Sequence, residues 1–186
     1  MKKAKKLKKS LEKKFEYDSE RKLFFIDTYI PLSSAYEQDR FSKMLLDLKK
    51  LRISSVDFFM KKLSCLDGLD FCVCAVPGHD PKKFTGVQEL AGKMADKMPC
   101  RNISQYLRRK RKVARQHFLS KLEKRSPSEE AKTLKLTNKD KFKGKRVLLI
   151  DDITTSGGTI KGAKKFILAN TDAKEVSVLV LGKTMR

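Results

Sequence analysis

At 186 residues, 40% hydrophobic and 35% charged, the chain can bury one core and carry a small appendage. No apolar run nears the roughly 18 residues of a membrane span, and the lysine-rich start lacks a secretory signal's apolar core, so a cytoplasmic protein without membrane contact is expected. The formal net charge of +22 suits nucleic acid, an anionic surface or a polyphosphate ligand without choosing among them.

Two stretches hold most of that charge. Residues 2–14 carry eight lysines against Glu12, and residues 101–125 carry ten Lys and Arg against Glu123. The first reads as a solvated, disordered basic arm over residues 1–20, helical at most from Leu7 to Phe15 and too poor in apolar positions to dock. The second interleaves with apolar residues, as a segment tied to a site would. Cys65, Cys72, Cys74 and Cys100 form no C-x-x-C pair. His79 and His117 are the only histidines, which leaves little from which to build a transition-metal site.

In chain order, Leu23–Ile30 is β-branched and aromatic and stops at Pro31, a strand. Asp39 then precedes Phe41, Met44, Leu45, Leu48 and Leu51 at helical spacing, and a second helix is expected over Ser54–Leu63. Residues 21–63 together read as a cap or lead-in to a core over 64–186, within a single domain over 21–186. Leu69–Val76 is a near-continuous apolar run, as in a central parallel strand, and ends in the sharp loop Pro77-Gly78-His79. A helix follows from about Thr85 to Met98, then a short strand-like turn at Arg101–Ser104 and the basic segment. Ser126-Pro127-Ser128 interrupts the pattern. Val147–Ile150 reads as a strand, Thr159–Ala169 as a helix and Val176–Leu181 as another strand. This alternation predicts an α/β fold with a mostly parallel sheet flanked by helices in Rossmann-type layering, plus a small N-terminal cap.

The chemistry concentrates in Val147–Thr159, V-L-L-I-D-D-I-T-T-S-G-G-T. In an open α/β sheet, ligands bind beyond the carboxyl ends of the strands. Thr154, Thr155, Ser156, Gly157, Gly158 and Thr159 form a hydroxyl- and glycine-rich turn into a helix, where unpartnered amides favour a phosphate. No G-x-x-x-x-G-K-[ST] and no G-x-G-x-x-G is present, which excludes a triphosphate P-loop. Asp151 and Asp152 directly after four apolar residues are costly as structure. As acceptors they suit vicinal sugar hydroxyls, and they can help hold a magnesium ion whose other ligands are substrate oxygens and water. No nucleophile–base arrangement can be drawn from two histidines.

These thirteen residues resemble the phosphoribosyl-pyrophosphate-binding signature of the type I phosphoribosyltransferases. The wider string K-G-K-R-V-L-L-I-D-D, with Leu107-Arg108-Arg109, Gln116 and Leu119-Ser120 before it, is similar to the ComF/GntX-like branch. Val76-Pro77 and Glu89-Leu90-Ala91 match further upstream. The chain departs from that branch in lacking its N-terminal zinc ribbon, in Phe84–Gln88, and in having Ser126-Pro127 where an asparagine is usual. The resemblance implies ribose hydroxyls on Asp151 and Asp152, the 5-phosphate on Thr154–Thr159, and pyrophosphate on Pro77-Gly78-His79. It also implies a closing loop after Ser104 with Arg108 and Arg109 as its cations, and Mg2+ bridging pyrophosphate and ribose.

The implied activity is transfer of phosphoribosyl to or from an unidentified nitrogenous acceptor. The alternative is a non-catalytic sensor or nucleic-acid-binding protein on the same fold, using the basic patches; fold alone does not decide between them. Whether the chain forms a homodimer stays open.

Overall fold

A computed structural model describes residues 7–114 and 126–185. The first half runs α1 (Leu7–Glu12), β1 (Glu16–Asp18), β2 (Leu23–Tyr29), α2 (Arg40–Lys49), α3 (Ile53–Leu63), β3 (Cys72–Ala75), α4 (Gly86–Lys97) and β4 (Arg101–Asn102). The second runs β5 (Leu107–Arg109), α5 (Pro127–Lys132), β6 (Leu134–Leu136), β7 (Arg146–Thr154), α6 (Gly158–Asn170) and β8 (Glu175–Thr184). Six strands form one sheet in the order β1-β2-β8-β7-β3-β4, parallel throughout except for the β1–β2 hairpin. β5 and β6 form a separate antiparallel ribbon.

The alternation of side chains along β7 explains the layers. Leu148 and Ile150 enter one core with Phe41, Leu45, Leu48, Phe59, Leu90 and Met94, which come from α2, α3 and α4. Val147 and Leu149 enter the other with Ile160, Ala163 and Ile167 of α6 and with Leu107 and Leu134 of the ribbon. Cys72 and Cys74 share that second face, two residues apart on β3, as small core residues. Burial pushes the Cys100 thiol up to about 11, so it too is an inert packing residue.

Local signals set the helix starts. Asp39 caps α2 by accepting from the Ser42 amide at 2.7 Å. Thr85 and Gln88 form a reciprocal capping box at the head of α4. Gly86 is required there because a Cβ would lie 1.9 Å from the Leu48 carbonyl oxygen, so α4 begins in backbone contact with α2.

Several expectations change. The arm expected over residues 1–20 is structured from Leu7 onward: Leu7 and Leu11 are buried in the first core, and β1 adds a strand to the sheet. Two leucines four apart suffice to dock one helical turn, despite the lysines around them. Residues 21–63, expected as a cap, contribute β2 to the central sheet and two helices to one of its faces. Ser126-Pro127 is a start and not a break, with Ser126 as N-cap, Pro127 in the first turn and Glu129 closing a capping box. The stretch after it supplies α5 and β6. Among the described residues, no helix is long and apolar enough to cross a membrane.

Candidate active site

β7 does not end at Ile150. It pairs with β8 through Asp151↔Val180, Ile153↔Gly182 and Thr154↔Lys183, which carries both carboxylates inside the strand's last turns of pleat. Consecutive strand residues face opposite sides of a sheet, and the two acids separate accordingly. Asp152 turns toward α2, where its Oδ2 is 3.6 Å from Lys49 Nζ. Asp151 shares the α6 side with Leu149, two residues back, and its Oδ1 accepts from the Asp152 amide at 3.0 Å. Loss of solvent around Asp151 raises its carboxyl to about 8, and the neighbouring Asp152 charge adds to the rise; Lys49 and Arg109 oppose it. Half-buried acceptors held at a strand end in this way are poised for hydroxyls or a cation.

The chain then makes the loop from Thr154 to Thr159. Thr154 is buried, whereas Thr155 and Ser156 are exposed. Gly157 caps α6 with φ at 77°, in the left-handed region, where a side chain would be strained. Ser156 Oγ accepts from the Gly158 amide at 3.4 Å. Behind the turn, Ile160, Ala163 and Ile167 seat α6 on the sheet, which aims the helix N-terminus along the crevice beyond β7.

Pro77-Gly78-His79 leaves β3 next to this strand end, held there by the Val76 amide donating to the Ile150 carbonyl at 2.9 Å. Arg109, expected as a cation on a closing loop, is buried on β5. Its Nε donates to the Gly78 carbonyl at 2.8 Å and its Nη2 to the Pro77 carbonyl at 3.1 Å, while Nη1 meets Glu130 at 2.7 Å and Thr133 Oγ1 at 2.5 Å. It braces the loop from behind. Arg108, one residue earlier in the ribbon, is half-exposed and donates to the Gln105 carbonyl at 2.9 Å. The Val113 amide donates to the His79 carbonyl at 2.9 Å, so the basic segment passes directly over the Pro77-Gly78-His79 loop. Its continuation, with Gln116, His117 and Leu119-Ser120, lies outside the described residues.

A strand-end acid pair, a glycine-capped amide loop and a second loop at the adjacent strand thus converge on one edge. The family model for the phosphoribosyl transferase domain matches residues 86–185, more than half of the chain. The chain belongs to that family. No match to a curated protein is found.

Further residues that the sequence did not mark reach this candidate site, some from outside the matched region. Arg21, in the β1–β2 turn, is buried; its Nε donates to the Thr155 carbonyl at 3.0 Å and its guanidinium pairs with Asp18. Lys183 Nζ also reaches Asp18, at 3.4 Å. Lys49 sits in the last turn of α2. No local spacing links any of these to the loop; only the sheet order, which puts β2 beside β8 and β8 beside β7, brings them there. Two concavities, of about 460 and 350 Å³, lie away from this site. One is lined by Asp70–Cys72 and Gly144–Arg146, ahead of β3 and β7, and the other by the end of α6 and Lys139–Lys143. Neither brings together a paired acid and an amide loop, so the strand ends remain the stronger candidate.

Proposed function

We propose that this phosphoribosyltransferase binds phosphoribosyl pyrophosphate at the carboxyl edge of β7 and transfers its phosphoribosyl group to or from a nitrogenous acceptor. The observation that carries the reading is the placement of Asp151 and Asp152 immediately before a loop whose Gly157 opens α6. Asp151 and Asp152 accept the ribose hydroxyls, the Thr154–Thr159 loop holds the 5-phosphate, and Pro77-Gly78-His79 receives the pyrophosphate. In the transfer, the bond from C1 to the pyrophosphate oxygen breaks with its electron pair leaving on oxygen. A bond from the acceptor nitrogen to C1 forms, and that nitrogen sheds its proton. Positive charge grows on the sugar next to the two carboxylates, and negative charge grows beside Arg108. The ribbon and the basic segment over His79 exclude water from the donor.

The family implies magnesium bound with the substrate. Among the described residues, no three His, Cys, Asp or Glu side chains gather as a metal site. Two carboxylates at a strand end nevertheless fit a hard cation whose other ligands are substrate oxygens and water. Asp151 and Asp152 would hold it indirectly, and it would offset charge on the departing pyrophosphate. The K-G-K-R-V-L-L-I-D-D string and Leu107-Arg108-Arg109 support placement in the ComF/GntX-like branch.

One observation favours a second reading, a ligand sensor on the same fold with nucleic acid bound through its lysines: the Arg109 guanidinium is committed to Pro77, Gly78, Thr133 and Glu130 and not to a leaving group. Titration calorimetry with phosphoribosyl pyrophosphate and Mg2+ tests the site. Binding should weaken at least about tenfold in Asp151→Asn/Asp152→Asn, a loss of about 1.4 kcal/mol. Unchanged tight binding would refute the assignment. Pyrophosphate release across a panel of bases and amines then separates an enzyme from a sensor.

A further inference from the structure

The region matched by the family begins at Gly86, yet the phosphate loop is held from outside it. Arg21 is 7% exposed and Asp18 7%, and they pair across three residues of the β1–β2 turn. The Arg21 backbone amide also donates to Asp18 Oδ1 at 2.9 Å, which locks the turn that carries the guanidinium. From there Nε reaches across to the Thr155 carbonyl at 3.0 Å. Every peptide bond described is trans, so the carbonyl of Thr155 and the amide of Ser156 point in opposite directions. With that carbonyl drawn back onto Arg21, the Ser156 amide faces away from the hairpin.

Charge adds a second effect. Asp18 is shared between two cations, Arg21 and Lys183, the latter also lying over the Phe25 ring with Nζ 4.5 Å from its centroid. One carboxylate against two cations leaves an excess positive charge behind the loop. Lys183 is partly exposed, so water screens some of this excess, and an anion at the loop is drawn to the remainder. Lys161 adds a further cation on the same side, its Nζ donating to the Glu20 carbonyl at 3.4 Å.

We propose that Arg21 is a positioning residue for the phosphate loop. Held by Asp18, it fixes the Thr155–Ser156 peptide and, with Lys183, lends the loop a charge matched to the dianion of a sugar 5-phosphate. This rests on the reading of Thr154–Thr159 as the 5-phosphate site and adds a hairpin, outside the matched region, that sets its affinity.

Ribose 5-phosphate is the probe, since it carries the phosphate and ribose but no pyrophosphate. Its affinity is measured by calorimetry for the wild type, Arg21→Gln and Arg21→Lys, with the melting temperature of each ligand-free protein recorded alongside. Arg21→Gln should bind about thirtyfold more weakly, or about 2 kcal/mol. Arg21→Lys, which keeps the charge but not the fork of donors, should fall between the two. That graded rescue should appear at temperatures where all three proteins are folded. If Arg21→Gln does not fold, Arg21→Lys against the wild type carries the test. Equal affinity in wild type and variants overturns the role of Arg21 and leaves the loop assignment standing. No binding of ribose 5-phosphate by the wild type overturns the loop assignment itself.

Discussion

Two adjacent carboxylates at a strand end repel each other and lose water, and Asp151 shows the result in a carboxyl raised to about 8. On the proposed reading such a pair costs stability in return for binding. Asp151→Asn should therefore keep or raise the melting temperature while weakening phosphoribosyl pyrophosphate; a variant that melts lower and binds normally would contradict this. Asp18 behaves in the opposite sense. Burial alone would raise its carboxyl, but the Arg21 amide and guanidinium, with Lys183, hold it below the usual range. A carboxyl lowered in the folded state stabilises the fold above its unfolded value of about 3.9, and that stability is lost as pH falls through the folded value. The stability gap between wild type and Asp18→Asn should be widest near neutral pH and close in acid, as thermal melts across a pH series would show. At this scale Asp151, Asp152 and Gly157 were legible because their chemistry is written in consecutive residues. Arg109 was legible as important but not in its role: a basic run does not reveal that one guanidinium turns inward onto Pro77 and Gly78.

Elements inherit their constraints from close approaches. Gly86 meets the Leu48 carbonyl, and Gly162 lets α5 lie on α6, where a Cβ would come within 2.7 Å of the Pro127 carbonyl oxygen and of Glu130 Cβ. Gly86→Ala should cost about 3 kcal/mol or more because backbone, not a pliable side chain, is in the way. Urea denaturation measures it; a loss below about 1 kcal/mol would mean the two helices separate easily. Gly157→Ala should cost about 1–2 kcal/mol from its left-handed backbone and weaken ribose 5-phosphate further than its stability loss explains. Helices α2, α3, α4 and α6 and strands β2, β7 and β8 could be read from periodicity and caps. The ribbon of β5 and β6 could not, since each strand has three residues and β5 lies within the basic segment while its partners Leu136 and Leu134 lie beyond it.

Across the whole molecule, residues from Leu7 onward belong to the fold, and Arg21 reaches the candidate site. Leu11 is fully buried, so Leu11→Ala should lower stability by about 2–4 kcal/mol, measured by urea denaturation; an effect under about 0.5 kcal/mol would restore the picture of a loose arm. Lysine content masked this packing, because composition averages over a helix whose buried side needs only two positions. β2 was legible as a strand but not as a member of the central sheet, because its partners on β8 lie far along the chain.

That sheet order has a consequence for synthesis on the ribosome. Phe24 and Phe25 emerge long before their partners Leu179 and Val180. Until β8 arrives, β2 has only the short β1 on one edge, and β3 waits likewise for β7. Nascent chains would thus expose these aromatic strand residues until β8 has been made, and the edge that carries the candidate site closes only then.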